Sequence, residues 1–171
     1  MTGETEENPT GNKSFALWST LALIVVILDQ VTKWMIVKWV PLYSEIPINS
    51  FINITHQRNS GAAFSFLADA SGWQRWFFIG LASIVSAYIV SWLWKIRTEG
   101  HLILSAGLAL VLGGALGNVI DRILLGNVVD FIQVFIVGRP FPSFNVADSA
   151  ISIGAAFLIV DALFLSGKKP K

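Results

Sequence analysis

The chain has 171 residues, of which 54% are hydrophobic and 13% are charged, and its mean hydropathy is +0.64. A soluble domain carries about 25% charged residues, so a bilayer solvates a surface of this composition better than water does. The net charge of +1 provides no basic field for nucleic acid. The absence of cysteine excludes disulfides, thiolate nucleophiles and thiolate metal sites.

The length allows one domain, and the composition distinguishes this domain from a polar segment at each end of the chain. Residues 1–14 are polar and contain Gly, Pro and Glu, so we expect a disordered tail there. Residues 15–167 form the expected single membrane-embedded domain, and residues 168–171 form a short basic tail. The apolar stretch after the first tail has no small-residue cleavage site, which argues against a removable signal peptide.

Four stretches are apolar enough to cross a bilayer, which takes roughly 20 helical residues. Residues 15–40 contain charges in their second half, whereas residues 76–94 and 102–120 are uncharged. The fourth stretch, residues 149–167, contains one charge, Asp161, to which we assign no function. The sequence therefore predicts an all-α integral membrane protein with four transmembrane helices.

The first and third connections contain β-branched and aromatic residues that suggest strands. In the first, polar and apolar residues alternate up to a turn at residues 59–61, and the third contains such residues over 128–145. Unpaired strand amides are costly inside hydrocarbon. We therefore expect a small extracytoplasmic β-sheet, formed by loops one and three, at the membrane surface.

Four crossings place loops one and three on one side of the membrane and both termini with loop two on the other. The 12 lysine and arginine residues divide equally between these sides. Lys33 and Arg122 lie beside carboxylates, and discounting them favours cytoplasmic termini. We find no internal repeat, which disfavours an inverted-repeat transporter.

Two carboxylates on the loop side are candidates for chemistry, because Asp130 follows the third span and Asp148 opens the fourth. A carboxylate at membrane depth is costly and marks a functional site by default. Two carboxylates within hydrogen-bond reach share a proton when the dielectric is low. The ionised one can deprotonate water while the protonated one donates to a carbonyl, which hydrolyses a peptide bond without a nucleophile or metal. Capping of helix ends is the structural alternative.

The two histidines do not suggest a metal site. The crossing count puts His56 and His101 on opposite sides of the membrane. A zinc site that uses both is therefore not expected, and we assign no metal ligand.

Five short motifs follow one another along the chain: DQVTK at 29–33, NSGAAF at 59–64, GGALGNVIDR at 113–122, VVDF at 128–131 and FNVAD at 144–148. In this order they resemble the bacterial lipoprotein signal peptidases, also called signal peptidase II. The resemblance implies four transmembrane helices with cytoplasmic termini in the bacterial inner membrane, and an active site near the outer face.

The same resemblance implies an aspartic endopeptidase with Asp130 and Asp148 as its catalytic pair. Its substrate would be a prolipoprotein, cut just before a diacylglyceryl-modified cysteine, so the expected partners are a signal-peptide helix with its lipid and the membrane lipid. No cofactor, nucleic acid or obligatory protein partner is implied.

Other polar residues near the pair are open to two interpretations. Asn59, Asn118 and Asn145 carry amides that both donate and accept hydrogen bonds, which suits either the backbone of an extended substrate or the protein's own loops. Arg122 could pair with Asp121 or orient a carboxylate of the pair, and the sequence leaves both open.

Asp29 and Lys33 are four residues apart, so we expect a structural ion pair on one face of the first span. A structural role is also expected for Asp121. The glycines within residues 113–117 put small residues on the third span, which allows close helix packing and would also leave room for a substrate groove.

Two other classes of function remain as alternatives. A proton- or ion-coupled carrier also uses membrane carboxylates, but it predicts a repeat and carboxylates near the midplane, which the sequence lacks. A non-catalytic lipid or peptide chaperone predicts that Asn variants of Asp130 and Asp148 still function in cells.

Overall fold

The computed structural model describes residues 9–61 and 72–165. This part of the chain contains four long helices: α1 (Pro9–Trp39), α2 (Trp73–Lys95), α3 (Leu102–Leu125) and α4 (Val146–Val160), which a π-helical turn over Asp161–Leu165 extends. All four, counted with that extension, are long and apolar enough to cross a membrane. The predicted four-span architecture is confirmed.

Helix α3 is the centre of the bundle. It packs against α1, α2 and α4, and 56% of its most apolar stretch is buried, against 17% in each of the other spans. Glycines permit this closeness: a Cβ on Gly113 would lie 2.7 Å from the carbonyl oxygen of Ala22 on α1, and one on Gly114 would overlap the carbonyl oxygen of Ala147 on α4. The predicted packing role of these glycines is confirmed.

A four-stranded antiparallel sheet joins the loops, in the order β1 (Glu45–Pro47), β2 (Ile52–Asn59), β3 (Val128–Ile136) and β4 (Arg139–Pro140). Strands β2 and β3 come from loops one and three, which confirms the predicted sheet. Their register pairs Gln57 with Asp130 and Asn59 with Val128. The sheet therefore brings the end of β2 to the start of β3.

The sheet is fixed to the bundle at two points. Helix α3 ends at Gly126, whose φ of 81° reverses the chain directly into β3. Val129 and Phe131 on β3 then pack against Ile36 and Val40 at the end of α1 in a buried apolar cluster. The first residues of β3 are thus held between two helices.

The helix ends differ from the sequence prediction. Helix α1 begins at Pro9, so the prediction of a disordered tail over residues 1–14 is wrong for residues 9–14, which are helical. Proline is suited to the first turn of a helix, because backbone N–H groups there have no partner within the helix and proline lacks one. Helix α4 begins three residues earlier than expected, since Asn145 caps it. Residues 1–8, the end of the motif at 62–64 and the predicted tail at 168–171 lie outside the described residues.

Replacing Gly114 with alanine tests the contact between α3 and α4. The added Cβ would overlap Ala147, so the two helices must separate. We expect the free energy of unfolding in detergent micelles to fall by about 1–3 kcal/mol.

Gly80→Ala on α2 is the matched control, because its Cβ would meet nothing within 4 Å. We expect this variant to be unchanged or up to about 1 kcal/mol more stable, since alanine favours helix. Equal stability of the two variants would contradict the close packing of α3 on α4.

Candidate active site

Asp130 and Asp148 reach one cavity from different elements. Asp130 is the third residue of β3, and Asp148 lies in the first turn of α4. Both line a cavity of about 580 Å³, together with Asn59, Asn118 and Arg122. The structure therefore brings together the pair that the sequence singled out.

Asp130 is buried, with 3% of its surface exposed, and both of its carboxyl oxygens accept a hydrogen bond. Oδ1 accepts from Nδ2 of Asn145 at 2.8 Å, and Oδ2 accepts from Nδ2 of Asn59 at 3.1 Å. Burial, followed by the negative charge of Asp148, raises the pKa of Asp130 to about 7, although the two amides oppose the shift. Asp130 therefore keeps its proton below about pH 7 and loses it above that value.

Asp148 is half-buried, and both of its carboxyl oxygens accept a hydrogen bond. Its Oδ1 accepts a hydrogen bond from Nδ2 of Asn118 at 2.8 Å, and its Oδ2 accepts one from the backbone N–H of Asn145 at 3.3 Å. It also lies at the N-terminus of α4, where the helix dipole stabilises a negative charge. The two carboxyl groups thus differ in environment, as an acid and a base require.

Asn145 connects the two aspartates. Its side-chain oxygen accepts from the backbone N–H of Asp148 at 2.9 Å, which completes a capping box at the start of α4. Its Nδ2 donates to Asp130 and lies 3.3 Å from both Oδ1 of Asn118 and the carbonyl oxygen of Val129. One fully buried side chain therefore sets the position of both carboxyl groups.

Lys33 lies beside this pair in a buried ionic cluster. Its Nζ is 2.8 Å from Oδ2 of Asp29 and 3.1 Å from Oδ2 of Asp121, and it donates to Oδ1 of Asn118 at 3.0 Å. The expected pair of Asp29 and Lys33 is confirmed, and Asp121 joins it from α3. The same lysine polarises the amide of Asn118, which in turn donates to Asp148.

The two carboxylates of this cluster also hold the backbone next to the candidate catalytic residues. Oδ1 of Asp29 accepts from the N–H of Ala147 at 2.9 Å, and Oδ2 of Asp121 accepts from the N–H of Val129 at 3.0 Å. These two N–H groups immediately precede Asp148 and Asp130 in the chain. The cluster thus fixes the backbone on which both candidates are carried.

Arg122 lines the cavity. Of the two roles that the sequence left open for it, pairing with Asp121 is not observed, because Asp121 pairs with Lys33. Its Nη2 donates to the carbonyl oxygen of Gly61 at 2.9 Å, and its guanidinium stacks 5.0 Å above the ring of Phe78. Arg122 therefore joins α3 to the end of loop one and to α2.

Sequence reasoning missed Gln30, although it belongs to the first motif. Its Nε2 donates to Oδ1 of Asp121 at 2.9 Å and to the carbonyl oxygen of Gly117 at 3.1 Å. Its place in the first motif, directly after Asp29, was the available signal. Phe141, Pro142 and Ser143, which line the cavity after β4, were also missed, because the sequence analysis read this stretch as part of a strand.

The histidines lie in different places, as expected. His56 is buried on β2 with Nδ1 2.8 Å from the carbonyl oxygen of Val40, whereas His101 lies 3.1 Å from Glu99 in the connection of α2 to α3. Across residues 9–61 and 72–165, no group of three or more His, Cys, Asp or Glu side chains is arranged to hold a metal ion.

Replacing Lys33 with methionine tests the ionic cluster. Asp29 and Asp121 would remain buried without their cation, so we expect the free energy of unfolding to fall by about 3–5 kcal/mol. Thermal unfolding in detergent micelles measures the change.

Lys38→Met is the control on the same helix. Lys38 is exposed and lies 4.6 Å above the ring of Trp34, so its loss is expected to cost less than about 1 kcal/mol. Similar losses in the two variants would show that the cluster contributes no special stability.

The chain matches the family model described as Signal peptidase (SPase) II over residues 21–164. It is 47% identical over 155 residues to the lipoprotein signal peptidase of Acinetobacter baumannii, covering 91% of this chain and 88% of that protein. It is 51% identical over 147 residues to the lipoprotein signal peptidase of Teredinibacter turnerae, covering 86% of this chain and 87% of that one.

Solved structures agree with these sequence matches. A bacterial membrane enzyme determined by the in meso method superposes with a TM-score of 0.76 at 36% identity, covering 91% of this chain and 95% of that one. A second structure with the same description gives a TM-score of 0.75. The family model, the relatives and the shared fold lead to one conclusion: this chain belongs to the signal peptidase II family of membrane-bound aspartic peptidases.

Proposed function

We propose that this chain removes signal peptides from prolipoproteins and that Asp130 and Asp148 are its catalytic pair. The observation that carries the residue assignment is the convergence of both carboxyl groups on one cavity, linked through Asn145. The lipoprotein signal peptidases to which the chain is similar supply the substrate class.

In the mechanism that we propose, Asp148 is the base and Asp130 is the acid. Asp148 is the less buried of the two, which suits activation of water, whereas the raised pKa of buried Asp130 suits donation of a proton. Asp148 takes a proton from a water molecule as its oxygen attacks the carbonyl carbon of the scissile bond. Asp130 donates its proton to the carbonyl oxygen, so that a neutral tetrahedral diol forms.

The second step returns the protons. Asp148 passes its newly acquired proton to the nitrogen of the leaving amine while the carbon–nitrogen bond breaks. Asp130 recovers a proton from a hydroxyl of the diol as the new carboxyl group forms. The pair is then restored to one proton, ready for another water molecule.

The lining of the cavity fits a peptide that carries a lipid. Asn59, Asn118 and Arg122 offer polar atoms for the substrate backbone, while Phe141 and Ile151 offer apolar surface for acyl chains. We therefore propose a signal-peptide helix with a diacylglyceryl-modified cysteine as the substrate, cut just before that cysteine. Its helix and lipid would reach the cavity from the bilayer.

We further propose that the termini are cytoplasmic and that the catalytic pair lies near the outer face of the bacterial inner membrane. Four successive spans return the chain to the side on which it started, and the sheet and the cavity belong to the opposite end. Six of the basic residues belong to that opposite side, but Lys33 and Arg122 among them are held by carboxylates or loop carbonyls.

Replacing Asp130 or Asp148 singly with asparagine tests the assignment. Asparagine keeps the shape but neither supplies nor accepts the catalytic proton, so we expect the rate of precursor cleavage to fall by about 10²- to 10⁴-fold or more. A gel-shift assay on a diacylglyceryl-modified precursor measures the rate, and thermal unfolding verifies the fold.

Asp161→Asn is the control, because Asp161 is also a buried carboxyl group but lies in the π-helical turn outside the cavity. We expect it to cleave at close to the parent rate. Near-normal cleavage by a folded Asp130→Asn or Asp148→Asn variant would exclude that residue from the catalytic pair.

The pH dependence of cleavage follows from the proton on Asp130. Because burial and the charge of Asp148 raise the pKa of Asp130 to about 7, the acid form is lost as the pH rises through that value. We expect kcat/KM to decline above it, with a limiting slope of about tenfold per pH unit. Steady-state cleavage in micelles at a series of pH values measures the profile, and Asp161→Asn should reproduce it. A kcat/KM that stays constant or rises in the alkaline range would contradict Asp130 as the acid.

A further inference from the structure

The two turns at the far end of the sheet form one exposed apolar surface, which we call the sheet tip: Ile48, Phe51, Ile136 and Val137. Val137 is 98% exposed, Phe51 is 68% exposed and Ile48 is 60% exposed. The backbone N–H of Phe135 donates to the carbonyl oxygen of Phe51 at 2.8 Å, which holds the two turns side by side. More than half of each of these four side chains is exposed, so the described chain leaves most of their apolar surface uncovered.

The backbone at Val137 is strained. Val137 and Gly138 have φ values of 50° and 72°, as the two central residues of a tight hairpin turn require. Asn-Gly is the favoured sequence for such a turn, whereas a β-branched residue in the left-handed region is an outlier. Because the side chain of Val137 is almost fully exposed, no packing within the molecule offsets the strain. Strain that persists in this way points to a function outside the chain.

The sheet tip continues the lipid-facing surface of the bundle. Trp39, at the end of α1, is 59% exposed, and Leu42, Tyr43 and Ile46 follow it with 49%, 67% and 44% exposed. Tyr43 also has a positive φ of 62°, which turns the chain toward β1 while its ring stays exposed. Exposed apolar side chains therefore recur along the chain from the end of a membrane-spanning helix to the sheet tip, although Val40 is buried and Ser44 and Glu45 between them are polar.

A basic residue completes the surface. Arg139 follows the turn directly and is exposed. A guanidinium beside apolar side chains matches the boundary between lipid phosphates and acyl chains, where amphipathic protein surfaces bind. We propose that the sheet tip inserts into the lipid leaflet on the sheet's side of the membrane, with Arg139 at the phosphates.

Insertion has a structural consequence for the cavity. The chain that returns from the sheet tip becomes residues 141–144, which line the cavity. A lipid-anchored tip holds this wall of the cavity at the level of the bilayer. Insertion of the sheet tip follows from the geometry of the sheet and is independent of the proposed cleavage reaction.

The chain lacks cysteine, so a single nitroxide label can be introduced at Val137→Cys without removing native thiols. The labelled protein is reconstituted into nanodiscs that contain phosphatidylglycerol, and power-saturation EPR compares collisions with oxygen and with a water-soluble nickel chelate. We expect oxygen collisions to dominate at position 137, as they do for a label that lies about 5–10 Å deep in the leaflet. Glu99→Cys, at a position 47% exposed between α2 and α3, is the control and should favour nickel.

Two results of the EPR experiment would overturn the proposal. Nickel accessibility at position 137 equal to that at position 99 would place the sheet tip in water. Spin–spin broadening that disappears when labelled protein is diluted with unlabelled protein would indicate that a second copy of the chain, rather than lipid, covers the tip.

Val137→Asn tests the strain on its own. Asparagine tolerates a positive φ, so we expect the unfolding midpoint in detergent to rise by about 3 °C, with a smaller gain in phosphatidylglycerol nanodiscs where lipid contact is lost. Ile48→Asn is the matched control: it removes an apolar side chain from the same tip at a position without positive φ, and it should bring no gain. A Val137→Asn variant no more stable than the parent in detergent would remove the strain on which the proposal stands.

Discussion

The contact of Lys33 with Asp29 and Asp121 is the interaction on which the site depends. A buried lysine without partners would be expelled or neutralised, and two buried carboxylates without a cation would repel each other. Each carboxylate also accepts a hydrogen bond from a backbone N–H: Asp29 from Ala147, and Asp121 from Val129. The ionic cluster therefore determines where α4 begins and where β3 runs, and with them the positions of the two catalytic candidates.

Uncharged amide side chains connect the ionic cluster to the carboxyl groups in the cavity through hydrogen bonds. Asn118 accepts from Lys33 and donates to Asp148, while Asn59 and Asn145 donate to Asp130. An amide has no proton to lose near neutral pH, so the cavity can be rich in hydrogen bonds while its exchangeable proton stays with the two carboxyl groups. This arrangement keeps acid–base chemistry separate from the neighbouring charges that stabilise the fold.

Hydropathy and alternation were sufficient to predict the four spans and the sheet, because span length and strand period are local properties of the sequence. The order of the motifs supplied the proposed catalytic pair, Asp130 and Asp148. The joining of Asp121 to Lys33 was not predictable in the same way, since it depends on how α1 and α3 rotate and on how closely Gly113 lets them approach. The role of Asn145 at both aspartates also required the register of β3 against the start of α4.

Asn145 gives the site a property that neither helix nor strand has alone. The same side chain closes the first turn of α4 and holds Asp130, so one turn of helix and the alignment of the pair form or dissolve together. Helix ends open locally at far lower free energy than a bundle unfolds. Opening of this single turn would therefore release Asp130 from Asn145 even with the transmembrane bundle intact. A peptide bound in the cavity would lie against this same turn, because Asp148 and Ser149 line the cavity.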